Sequence, residues 1–499
     1  MSTSPLLRLP RELRDIIYEY YVMEDEGYYF NFQAGKFTTS TGQPPDLSLI
    51  YVCRQIAEEM GGIALRSNTL VFKTAYDNQE RANIAGRYSA LLDALINVKV
   101  GLLNEVRSLI TPEIVDRVAS KFPQFVPVLH NLRDEGTLPN PKRFFRLWTS
   151  SSWGMAPSLD CDFVSYALQL ASEHPDFART IALSPFWGDA KMPATPDILA
   201  LQPVPWAIPT SAELDTLAAI VSPILYRWQG REDWWDRVMH RFSAASVAID
   251  YLNSMPTTKR SHLRSIILDE DSESVMRPQC HTRGLIPFCI ENPHLRIERR
   301  ASLWRTIFPG GNLNRPKRIL YNIRNSSVHS LKRSRLSNSL APWLLEALAL
   351  RSLGMPEDCF MLTIDGDLSH DKTIEAFEMI TIDAIWQSAL DESYRRNYLP
   401  APTWVARRNH PCYALEGFLE VMQDIVNGNS LIRCNFCPAQ LQDREILVQQ
   451  HREWGWSYFD WMDEHRALLP RTITPGPPLP AWINIALAQV IPGPIPEWY

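Results

Sequence analysis

Apolar residues at Leu9, Leu13, Ile16, Ile17, Tyr20 and Tyr21 recur at spacings of three and four, which predicts an amphipathic helix opening the chain. Pro10 suits a first helical turn, where its missing N–H costs nothing, and Glu12 suits the positive end of the helix dipole. A second helical pattern runs through Leu47, Ile50, Cys53, Ala57, Met60 and Ala64, flanked by Leu49, Val52, Ile56 and Ile63, with Asp46 as its N-cap. Between them, 28–32 and 36–39 read as a short hairpin around Gly35, and Thr69–Phe72 has the β-branched and aromatic character of a strand.

Residues 80–133 are helix-patterned, with a start signal at Thr111-Pro112-Glu113. A further helix is expected over 160–172. Six prolines between 184 and 209 mark a connector, because proline breaks helices and removes ladder donors. Trp187, Leu199, Leu201, Trp206 and Ile208 within it suit a path over a folded surface. Helix restarts at a Thr210/Glu213 capping box. From there helices alternate with short apolar strands: 234–255 then 262–268, 281–291 then 295–297, 341–353 then 359–364, and 414–426 then 430–436. Such alternation predicts βαβ units and a parallel sheet, with an irregular leucine-rich-repeat-like stack as the alternative. Residues 440–467 form one more helix, rich in aromatic residues, and the tail from Pro470 is proline-rich but carries an apolar segment, 481–491, that suits packing on the domain. The fold class is thus helix-rich α+β. It comprises an N-terminal α+β module (1–75), a helical region (76–183), the connector (184–209), an α/β domain with a short, mostly parallel sheet (210–469) and a packed tail (470–499).

Composition changes this picture in few places. A net charge of −6 over 499 residues argues against a wholly nucleic-acid-binding protein, and no sequence-specific reader motif is present. No apolar run is long enough for a membrane span or a signal peptide, and the eight cysteines are scattered rather than paired as a disulfide framework. The expected compartment is therefore the cytoplasm or the nucleus. Charge is uneven: residues 296–335 hold eleven basic residues and one acid, +10 against −16 for the remainder. Arg315, Lys317, Arg318, Lys332, Arg333 and Arg335 form a candidate basic docking patch of the kind read by import factors or acidic partners.

Candidate chemistry is sparse. Asp269, Asp271, Asp365 and Asp367 follow predicted strands, where an α/β enzyme would hold a divalent cation, but turn formation is the better reading of them. His410, Cys412, Cys434 and Cys437 include half of a zinc-site spacing, but a strand would point residues three apart to opposite faces, and core cysteines are the better reading. The nucleophile elbow, phosphate loop, dinucleotide fingerprint and zinc-protease motif are all missing. No cofactor, no metal and no catalytic residue is assigned, and the expectation is a non-enzymatic protein.

Three pieces in order, Leu-Pro-x-Glu-Leu-Arg-x-x-Ile-Tyr at 9–18, Val-Cys-Arg-Gln-Ile at 52–56 and Ser-Asn-Thr-Leu-Val-Phe at 67–72, resemble the N-terminal module of F-box-like proteins abundant in filamentous fungi. The resemblance covers about a seventh of the chain. It implies a protein-interaction role: a Skp1-type adaptor of a cullin ubiquitin ligase docked on Leu9, Pro10, Leu13 and Ile17, and a client held by the later domain. The alternatives are a scaffold with no ligase link and a metal-dependent enzyme using the acidic strand ends.

Overall fold

The computed structural model describes residues 5–76, 81–134, 154–182, 195–228, 239–312, 330–438, 442–468 and 470–491. Its centre is a seven-stranded sheet in the order β2-β1-β3-β4-β5-β7-β8, formed by β1 (Tyr28–Asn31), β2 (Lys36–Thr38), β3 (Thr69–Lys73), β4 (Ser265–Glu270), β5 (Arg296–Ser302), β7 (Phe360–Asp365) and β8 (Ile432–Cys434). Only the β1–β2 hairpin is antiparallel; every other neighbour is parallel. β6 (Leu331–Lys332) and β9 (Thr472–Ile473) make a separate antiparallel pair. The helix-rich α+β class and the mostly parallel sheet are as the pattern predicts. The strand pairing, however, runs across the boundary expected at residue 75, since β3 pairs with β4 along its whole length. One core correspondingly extends from Tyr28 to Ile485.

From β3 to β8 each crossover moves one position further along the sheet. Alternate residues then line one covered face: Leu70 and Phe72, Ile266, Leu268 and Glu270, Ile297, Arg299 and Ala301, Leu362 and Ile364, and Ile432 are all buried. The opposite face is mixed and partly open, with Val71, Ile267, Glu298 and Met361 in one row. Lys73, Asp269, Arg300, Thr363 and Arg433 stand in register across it, with Glu298 paired to Arg300 at 2.8 Å.

The covered face contains one charge pair. Arg299 donates through Nε and Nη2 to Glu270 Oε1 at 3.0 and 2.6 Å, and both side chains are essentially inaccessible. Glu270 also accepts from the amides of Ala244 and Ala245 at the start of helix Ala244–Ser254. Arg299 further donates to Pro278 O, Gln279 O and Thr282 Oγ1 and stacks on Trp343 at 4.6 Å. Both ions are therefore fully hydrogen-bonded, the condition for burying them.

Local signals fare unevenly. Thr111 caps helix Pro112–Lys121, and the Thr210/Glu213 box closes in both directions. The connector, where described, does lie on the fold: Tyr88 bonds Val204 O and Lys99 bonds Leu201 O. The second helical pattern, 47–64, is broken into a 3-10 turn Ser48–Tyr51 and short helices Arg54–Glu59 and Ile63–Ser67: Cys53 is extended (φ −160°) at the first break and Gly62 turns left-handed (φ 79°) at the second. Likewise 440–467 divides at Gly455 (φ 62°) into Arg444–Trp454 and Tyr458–Ala467.

Candidate protein-docking surface

Helix Arg11–Val22 faces inward with Arg14, Tyr18 and Val22, four residues apart. Its contacts are partly polar. Arg14 grips Glu59 bidentately, Nε to Oε2 at 2.8 Å and Nη2 to Oε1 at 2.6 Å, and also donates to Leu9 O. Tyr18 Oη and Gln55 Nε2 complete the carboxylate at 2.9 Å each. The hydrogen-bonded Arg14 guanidinium pulls the Glu59 carboxyl down to about 2. Tyr18, Val22, Ile56, Met60 and Ile63 pack around this clamp as a core separate from that of the sheet.

With Arg14 and Tyr18 turned inward, the apolar stripe faces solvent. Leu13 is 48 % exposed, Ile16 49 %, Ile17 39 % and Tyr20 73 %. Pro10 is exposed at its head and Leu9 half-buried beneath it. Tyr51 and Val52 add exposed apolar surface beyond the turn that Tyr21 Oη engages through Ser48 and Leu49 N. Leu9, Pro10, Leu13 and Ile17 thus lie together on one accessible helix face. Contiguous exposed apolar surface of this kind marks an interaction site. Sequence spacing finds this stripe and the resemblance assigns four of its residues to a partner, but an arginine at the anchoring position gives no hydrophobic signal for the side that packs inward.

The other expected sites do not assemble in this way. Arg315, Lys317 and Arg318 lie outside the described residues. Arg333, assigned to the basic patch, is instead buried: it donates to Asp383 Oδ1 at 3.1 Å and to His465 O at 2.8 Å, while Ser337 Oγ takes Asp383 Oδ2. It is withdrawn from the surface because its partners lie on the helices His370–Arg395 and Tyr458–Ala467 packed over it. Lys332 and Arg335 remain exposed. Elsewhere in the basic stretch Arg299 and Arg305 are also paired, the latter with Asp367 at 2.5 Å.

The acidic strand ends are held by the chain itself. Lys73 reaches Asp269 at 3.4 Å, Thr74 donates to Asp271, and Asp365 accepts from Asp367 N and Asn435 Nδ2 at 2.8 Å. Ser302 and Arg305 engage Asp367. Cys412 packs in a second core with Trp386 and Trp461, Cys434 packs against the main core, Cys437 is exposed, and the His410 ring lies against Tyr458 at 4.9 Å. Among the described residues no three His, Cys, Asp or Glu side chains converge as metal ligands, and no helix is long and apolar enough to cross a membrane. Comparison with protein-family models, with curated proteins and with solved structures returns no match.

Proposed function

We propose that this is a protein-interaction protein whose first helix docks a Skp1-type adaptor, making the chain a substrate receptor of a cullin-type ubiquitin ligase. The observation that carries the reading is the outward apolar stripe of helix Arg11–Val22, set on a clamp that leaves its residues free of any structural duty. Covering the exposed half of Leu13, Ile16 and Ile17 returns about 1 kcal/mol each, which is binding energy the fold does not use. The module's resemblance to F-box-like domains names the occupant. The α/β domain, with its partly open sheet face, is left to hold the client.

Co-purification of the full chain with a Skp1-type adaptor tests this. The wild type should form a complex that Leu13→Arg with Ile17→Arg abolishes while the protein stays folded. A folded wild type that recovers no adaptor, or a complex indifferent to both substitutions, supports a scaffold without a ligase link.

A further inference from the structure

The open face of the sheet carries its charges at two depths. Lys73 (β3), Asp269 (β4), Arg300 (β5), Thr363 (β7) and Arg433 (β8) share one row, since each is the register partner of the next. In the ion pairs on this side the lysine or arginine is the outer member. Lys73 is 49 % exposed against 30 % for its partner Asp269, and Arg300 43 % against 25 % for Glu298. Thr363 Oγ1 also donates to Glu298, at 2.9 Å. At the strand ends Arg305 covers Asp367 in the same way, and that acid is essentially inaccessible. Arg433 is exposed, and its guanidinium has no partner among the described residues. A partner approaching this face therefore meets cations first, although the chain as a whole carries −6. The complement of such a surface is acidic.

The spacing of the cations says more. Lys73 and Arg300 lie two strands apart, and so do Arg300 and Arg433. Neighbouring strands are about 4.8 Å apart, so each interval is about 10 Å. An α-helix brings residues seven apart back to the same side after about 10.5 Å. An extended chain covers 10 Å in about three residues, whose side chains point to opposite sides. Two residues nearer the strand starts, Val71, Ile267 and Met361 form a second row, with Tyr29 in register beside Val71. Only Glu298 interrupts its apolar character, and Arg300 neutralises that charge at 2.8 Å. A helix crossing the strands with acids over the first row would lay apolar residues three or four positions on against the second.

We propose that the open sheet face takes an amphipathic helix of the partner protein, with acidic residues seven apart on Lys73, Arg300 and Arg433 and an apolar stripe beside them. This names the class of client and rests on the reading of that face as the client's seat. Asp269, between Lys73 and Arg300, repels an acid at the intervening turn, so a uniformly acidic stripe is disfavoured.

Fluorescence anisotropy of labelled synthetic peptides with the full chain, and no adaptor present, tests the proposal. The reference peptide is an amphipathic helix of about 20 residues, about 30 Å long, with three glutamates seven apart beside a leucine stripe. It should bind saturably. The same peptide with lysines for the glutamates should bind about tenfold more weakly, against the sign of the chain's net charge. A version with two central prolines, which cannot stay helical, should lose a similar factor. Arg433→Glu should weaken the reference peptide about tenfold, and exchanging one of its end glutamates for lysine should restore binding. The proposal is overturned if the reference peptide does not bind, if the lysine or the proline version binds as well, or if Arg433→Glu leaves affinity unchanged or is not rescued. Should Arg433→Glu fail to fold, Lys73→Glu decides by the same criteria. Loss of the adaptor complex with peptide binding intact would sink the ligase reading alone, and the converse result would sink this inference alone.

Discussion

Removing Arg299 should cost this fold more than removal of any surface charge. Arg299→Met deletes both bonds to Glu270, the bonds to Pro278 O, Gln279 O and Thr282 Oγ1, and the stacking on Trp343. Glu270 would then keep only the amides of Ala244 and Ala245, at 3.0 and 3.3 Å, with no counter-ion beside a fully buried carboxylate. Breaking a buried pair from one side typically costs about 3–5 kcal/mol. A domain's whole stability is about 5–15 kcal/mol, so the loss would be a large fraction of it. Glu270→Met should cost a similar amount by stranding the guanidinium. The double substitution removes both charges together. It leaves only neutral backbone groups short of partners, at about 1–3 kcal/mol, so it should cost less than the two single changes added. A double-mutant cycle from urea unfolding measures the coupling, expected near 3 kcal/mol or more. Single losses below about 1 kcal/mol, or strict additivity, would refute the view that this pair is an interdependent unit inside the sheet.

Two further outcomes follow from the interior. His281 is buried against Ser243 and Ser246, and burial pushes it down to about 3, with the Arg299 charge adding to the effect. Below its unfolded value near 6.5 the unfolded chain binds the extra proton. Stability should therefore fall as pH drops from about 6.5 toward 3, by up to about 1.4 kcal/mol per unit, and His281→Asn should flatten that limb; an unchanged slope in acid-range denaturation curves contradicts it. Cys437 is exposed while Cys280, Cys289, Cys359 and Cys412 are buried, so a thiol reagent on the native protein should label Cys437 ahead of those four, and mass spectrometry finding any of them labelled first would contradict the burial.

Legibility of this fold in the sequence depends on whether an element faces one environment or two. β3, β4, β7 and the β1–β2 hairpin sit close to where their patterns place them, because strand character and Gly turns are local. Helix His370–Arg395 is the longest described, yet no helix is expected there from pattern. Its buried residues, from Thr373 and Phe377 through Asp383 and Trp386 to Ser393, surround the axis because it packs against both cores, and periodicity vanishes when all sides are covered. The stripe on the first helix is legible from spacing and its outward face only through the resemblance, since periodicity alone does not show that the helix is anchored by Arg14 on Glu59, more than forty residues away.

The module and the sheet are joined in a way that bears on how a docked partner would be oriented. Asn68, the residue before β3, donates to Val22 O and Ala64 O at 2.9 Å and accepts from Glu24 N at 2.8 Å, tying the end of the docking helix to the strand. Tyr28 Oη in β1 bonds the same Val22 carbonyl at 2.6 Å. Gly27 passes so close to Thr69 that a Cβ would lie 2.3 Å from its carbonyl oxygen, and Gly62 lies against the His262 ring just ahead of β4, where a Cβ would come within 2.4 Å. These contacts leave no hinge between helix Arg11–Val22 and the parallel sheet. An adaptor seated on Leu13 and Ile17 would therefore hold the open sheet face at a fixed angle, and a client on that face would be presented in one orientation. A flexible tether would instead spread the client over many positions and dilute any single reactive lysine.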